Sequence, residues 1–176
     1  MEDNTMSETN DLLLQMLFRN YDEEVSRNEL IDNKNSQMIV LTGTMLTLQA
    51  TLFTTGLLNE FVYNKIPINL RSWILGLFIC SLITSVISMI FFIWAYKFVG
   101  IFHQSPTANY VKNSYNKKRS KSEIIEKTLT KMPNTINDNK KLMSKKVKLG
   151  SIGFTGIIIN IIFILLFVSL LIYCFV

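Results

Sequence analysis

A chain of 176 residues, 49% hydrophobic and 18% charged with a net charge of +5, is long enough to build a soluble domain with a sizeable core. The way its apolar residues are gathered excludes that. They form three runs, at 37–58, 73–96 and 152–176, each long enough for the roughly 20 helical residues that cross a hydrocarbon core of about 30 Å. The sequence predicts an all-α fold, a three-pass transmembrane helical protein with an N-terminal cytoplasmic helix and a helical basic loop between the second and third spans.

Residues 1–36 begin without the basic segment of a cleaved signal, and the first apolar run starts too late for one. They read as an acidic helix capped by Thr9 or Asn10, with Leu14, Leu17, Phe18, Tyr21 and Val25 recurring at spacings of three and four. Glu23 and Arg27 add an i, i+4 pair, and the stripe fades at Asn28 and Asp32. Two partners suit this stripe: another copy, through a short coiled coil, or the chain's own basic region. The helix is expected to run into the first span, with Asp32 and Lys34 at the membrane junction.

The first span, 37–58, is the weakest, because Gln37, Gln49 and several threonines and glycines dilute it. Thr44, Thr47, Thr51 and Thr54 or Thr55 fall on one side; Thr42, Gln49 and Gly56, seven apart, fall almost opposite. After an external loop at 59–72, the second span, 73–96, carries no charge. Trp73, Trp94 and Tyr96 stand at its ends, where aromatic rings favour the interface, and Ser81, Thr84, Ser85 and Ser88 make a small-residue seam.

The segment 97–151 opens irregularly, with a turn at Ser105-Pro106. Ser120 or Ser122 then starts a helix, Ser120 and Glu123 being spaced as a capping box. Pro133 is expected to end it, and a second helix from Asn134 continues into the third span, 152–176. Near that junction Lys140, Lys141, Lys145, Lys146 and Lys148 are candidates for contact with anionic lipid headgroups, at about 1 kcal/mol each. The third span is uncharged, and Gly153, Gly156 and Asn160 line one seam of it. Small residues and hydroxyls of this kind are the usual material of helix–helix packing in lipid. The two-sided polarity of the first span fits packing inward on one side and other subunits on the other. Gln49 and Asn160 lie within about one helical turn of the same depth, close enough for a hydrogen bond between them.

Charge orients the chain. Residues 1–36 carry nine acidic and three basic side chains; residues 97–151 carry thirteen basic and three acidic, a net +10. Lysine and arginine near span ends favour the cytoplasmic side. The expected location is the plasma membrane, with the N-terminus cytoplasmic and the C-terminus external. No nucleic-acid module accompanies the lysines, so nucleic acid is not an expected partner. The chain shows no phosphate loop, nucleophile elbow or metal-ligand cluster, and no ionisable residue within a span as a proton-coupled carrier needs. Cys80 and Cys174 lie at different depths, which argues against a disulfide or metal site. His103 lacks ligand-spaced partners. A non-enzymatic protein without a cofactor is the expectation.

The order of parts points to one family. ELIDNKNSQMIVLTG places Asp32-Asn33-Lys34 just before the first span, and NYVKNSY, SEIIEKTL and NTINDNKKLMSKKVKL follow the second. This resembles the transmembrane effectors of Pycsar anti-phage systems over nearly the whole chain. It departs from them at Asn35-Ser36, where the family prefers small residues. The resemblance implies a homo-oligomerising, membrane-perturbing effector of antiviral defence, activated by a nucleotide second messenger from a partner cyclase. The alternative is a membrane adaptor or scaffold whose basic loop binds anionic lipid or a protein partner.

Overall fold

The computed structural model describes residues 2–57, 66–98, 103 and 106–175. Among these the regular structure is all helix. Helix α1 spans Glu2–Leu52 and passes into a π-helical turn at Phe53–Leu57; α2 spans Ile68–Ile93 and ends in a second π-helical turn at Trp94–Phe98. The short α3 covers Ala108–Asn116, and α4 covers Lys121–Phe175. Residues 59–65 of the expected loop at 59–72, and Ser105 of the expected turn, lie outside the described residues. The chain divides into two compact units, one of residues 1–32 and 100–145, the other of residues 33–99 and 146–176.

Several sequence expectations change here: α1 is already helical from Glu2, so Thr9 and Asn10 lie inside it, and α2 begins at Ile68, within the expected loop. The inward face of α1 does not end where its apolar residues give way to Asn28 and Asp32. Those residues are half-buried, with Asn28 Nδ2 donating to Asp32 Oδ2 at 3.3 Å, and the stripe continues through buried Asn35, Thr42 and Gln49 at seven-residue spacing. Nor does Pro133 end a helix: it sits inside α4. A mid-helix proline forfeits one backbone hydrogen bond and costs about 3 kcal/mol or more. Its neighbours offset that, because Met132 and Ile136 are buried on the same face as Thr128 and Asn139, and each fully buried apolar side chain contributes roughly 1.5–3 kcal/mol. Buried residues of α4 recur at Ile125, Met132, Asn139, Lys146, Asn160 and Phe167, the seven-residue period of knobs-into-holes packing.

In the first unit α1 packs on α4, so the stripe expected at Leu14, Leu17, Phe18, Tyr21 and Val25 is half-buried against the chain's own basic segment. Lys121 Nζ meets Asp11 at 3.0 Å, and Lys140 Nζ lies 3.8 Å from buried Glu24. Asn139, fully buried, clamps the peptide of His103: its Oδ1 accepts from His103 N and its Nδ2 donates to His103 O, both at 2.9 Å.

Thr107 caps α3, accepting from Tyr110 N. At the other end Arg119 N bonds Ser114 O and Lys118 N bonds Tyr115 O, the paired closure of a Schellman turn. Ser120 Oγ accepts from Glu123 N at 3.3 Å, so half of the expected capping box forms. The Glu123 carboxylate instead takes Lys127 at 2.7 Å and Arg119 at 3.4 Å. The hydrogen bond from Lys127, aided by the charges of Lys127, Arg119 and Lys117, holds that carboxyl below its ordinary value.

The turn places Lys118 at φ 47°, where glycine is the usual residue. Relief of the left-handed penalty, roughly 1–2 kcal/mol, should make Lys118→Gly stabilising. Amide exchange in α3 should slow by about fivefold or more; unchanged or faster exchange would contradict the strained turn.

Candidate functional site

The second unit brings three helices together around polar side chains. Gln49 of α1 donates through Nε2 to Asn160 Oδ1 at 2.8 Å and to Ser81 Oγ at 3.3 Å. Asn160 Nδ2 of α4 donates to Ser85 Oγ at 2.7 Å, and Ser85 Oγ donates to Gln49 Oε1 at 3.1 Å. Gln49, Ser85 and Asn160 thus form a closed ring of donors and acceptors, one from each helix. Ser81 joins from α2 and passes its own hydrogen to Phe78 O at 2.8 Å. All four side chains are at most 1% exposed.

Glycines make the approach feasible. On α4, a Cβ added at Gly153 would stand 3.0–3.1 Å from the Phe92 ring of α2, and one added at Gly156 would overlap Ser88 Oγ. A Cβ at Gly150 would meet Asn35 Oδ1 of α1 at 2.8 Å. Ser88 is fully buried and bonds back to Thr84 O. Beyond the ring lies an apolar cluster: Phe53 stacks on Phe78 with centroids 4.8 Å apart, and Phe78 tilts against Phe167 at 5.5 Å, beside buried Ile66 and Ile74.

The other expected site residues separate from this centre. Thr44, Thr47 and Thr51 are exposed, each donating its hydroxyl to the carbonyl four residues earlier at 3.1 Å. Among the described residues they hydrogen-bond to no neighbouring helix. Thr54 and Thr55 share that face and both bond Thr51 O. Asp32 is half-buried beside Asn28, whereas Lys34 is exposed. Lys140, Lys141, Lys145 and Lys148 are exposed, but Lys146 is only 5% exposed. Its place in the seven-residue seam turns it inward, unlike the other four lysines of the expected headgroup contact. Sequence reasoning also missed Asn35, Gly150, Asn139 and Glu24. Asn35 and Asn139 were legible in principle, since positions 35, 42 and 49, and 139, 146 and 160, share one period.

Chemically the ring is saturated. Amides and hydroxyls do not titrate near neutral pH, and the ring's hydrogen bonds leave no buried atom of these four residues unpartnered. It locks helices in register and offers no acid, base or metal-binding group. Unpartnered buried atoms among the described residues occur elsewhere, at Glu24 Oε2 and Asn35 Nδ2. Cys80 and Cys174 are free thiols. Comparison with family models, curated proteins and solved structures finds no match for this chain.

A double-mutant cycle measures the ring. Gln49→Leu and Asn160→Leu should each destabilise the detergent-solubilised protein, with a coupling of roughly 0.6–1.7 kcal/mol, the range of polar contacts between membrane helices. Additive effects in unfolding titrations would mean that the two amides do not act together.

Proposed function

We propose that the chain is an integral membrane protein, without enzymatic activity, that perturbs the bilayer when several copies assemble, as an effector of an antiviral response triggered by a nucleotide signal. Three helices are long and apolar enough to cross a membrane, and Gln49, Ser81, Ser85, Ser88 and Asn160 face inward while isoleucines such as Ile83, Ile90 and Ile162 face outward. This inversion of soluble packing supports lipid as the surrounding solvent. The lysine-rich segment supports a cytoplasmic N-terminus in the plasma membrane. The antiviral role rests on the resemblance to Pycsar effectors.

The observation that carries the assembly step is the outer face of α1. Its apolar window is the least covered of the three, 11% buried against 28% and 17%, and it presents the threonines at 44, 47, 51, 54 and 55. Their hydrogens are held by the helix backbone, but hydroxyl oxygens keep lone pairs for water or for a neighbouring copy. Nearer the N-terminus Leu12, Met16 and Leu30 are also more than half exposed on α1. Because the polar ring inside the bundle is saturated, a hydrated path would form between copies rather than within one. Exposed Lys141, Lys145 and Lys148 favour a second reading, an adaptor that holds anionic lipid.

Dye-loaded vesicles separate the two. The reconstituted protein, with its activating partner or at high density, should release dye, and Thr44→Leu combined with Thr51→Leu should reduce release by about tenfold while leaving helicity unchanged. Vesicles that stay tight at every density, with protein bound to anionic lipid, would favour the adaptor.

A further inference from the structure

We infer that a cleft in the first unit, between the opening turn of α3 and one face of α4, binds a phosphoryl group. The cleft has a volume of about 220 Å³ and is lined by Thr107, Tyr110, Lys127, Thr128, Lys131 and Thr135, together with Pro106. No carboxylate lines it. Two ammonium groups do, four residues apart on α4 and therefore on one side of the helix.

The hydrogen-bond inventory shows which groups remain to meet a ligand. Thr128 Oγ1 gives its hydrogen to Ile124 O at 2.8 Å, and Thr135 Oγ1 gives its own to Lys131 O at 3.4 Å. Both are spent on the helix. Thr107 Oγ1 is different: it accepts from Tyr110 N at 3.2 Å, which leaves its hydroxyl hydrogen to donate. Lys127 holds Glu123 at 2.7 Å through one of its three hydrogens. Lys131 has no carboxylate within ion-pair distance among the described residues. The cleft thus offers one uncommitted ammonium, a second partly neutralised by Glu123, and a hydroxyl donor, with no carboxylate among its own lining residues.

Size narrows the ligand. At about 30 Å³ per water, the cleft holds the volume of roughly seven waters, enough for a phosphoryl group. It falls short of the roughly 300–1,000 Å³ that encloses a drug-sized molecule, so the rest of a phosphate ester would project outward. Two cations and a hydroxyl match the charge and the several acceptor oxygens of a phosphate better than a single carboxylate. A soluble phosphate ester and a phosphate-bearing lipid headgroup present this same chemistry. The assignment stands apart from the membrane-perturbing reading, since binding is measurable in protein that never permeabilises a vesicle.

The full chain in phosphatidylcholine nanodiscs should be titrated with inorganic pyrophosphate by calorimetry, and a parallel set should contain phosphatidic acid, read by ³¹P resonance shift. Wild-type protein should respond in at least one arm; a response to pyrophosphate points to a soluble ester, and one to phosphatidic acid alone points to a headgroup. Lys131→Gln should weaken the response by about tenfold or more, as loss of a charge-assisted contact implies. Lys112→Gln removes the same charge from α3 outside the cleft and should change it by no more than about twofold. No response from wild type in either arm, or equal losses from the two variants, would overturn the site.

Discussion

A buried amide must find its hydrogen-bond partners wherever water is absent, and that requirement organises the second unit. Gln49, Ser85 and Asn160 each come from a different helix and satisfy one another in a ring, with Ser81 attached. An unmatched member would carry a desolvation penalty of about 1–3 kcal/mol. Rotating any one helix breaks the ring, so the cluster sets register as well as proximity. Gly150, Gly153 and Gly156 serve the same contact by letting backbones close in before side chains intervene. The large apolar side chains, which fill the interior of a soluble domain, mostly point the other way.

Seven-residue periodicity connects this centre to the rest of the two long helices. The inward positions of α1 are polar at Asn35, Thr42 and Gln49, and those of α4 include Asn139, Lys146 and Asn160. A seam with so many polar members gains less from hydrophobic burial than a leucine seam, and more from specific pairing. It leaves α1 with two polar faces of different character. At Gln49 the inner face is matched within the chain, while Asn35 Nδ2 stays unpartnered; the hydroxyls of the threonine face donate to their own backbone. Saturation inside and lone pairs outside are what make assembly between copies the natural place for further polar contact.

Much of this was readable from residue order. The apolar runs gave three candidate spans, the small-residue seams gave their contact faces, and the pairing of Gln49 with Asn160 followed from similar depth. Two features were hidden for opposite reasons. Pro133 carries a strong local signal for a helix end, but the buried face on both sides of it outweighs one missing hydrogen bond. Lys146 looks like its neighbours Lys145 and Lys148 in composition, and only the helical period sends it inward. The clamp of Asn139 on the His103 peptide was beyond sequence reading, because it joins a side chain to a backbone 36 residues away.

Cys80 offers the most direct measurement of whether lipid is the solvent around these helices. It is exposed on α2 and unpaired. With Cys174→Ser to leave one thiol, the protein in sealed vesicles should not react with a charged, water-soluble maleimide until detergent or denaturant strips the bilayer away. Labelling of Cys80 in intact vesicles at the rate of a free thiol would show that water, and not hydrocarbon, covers that face.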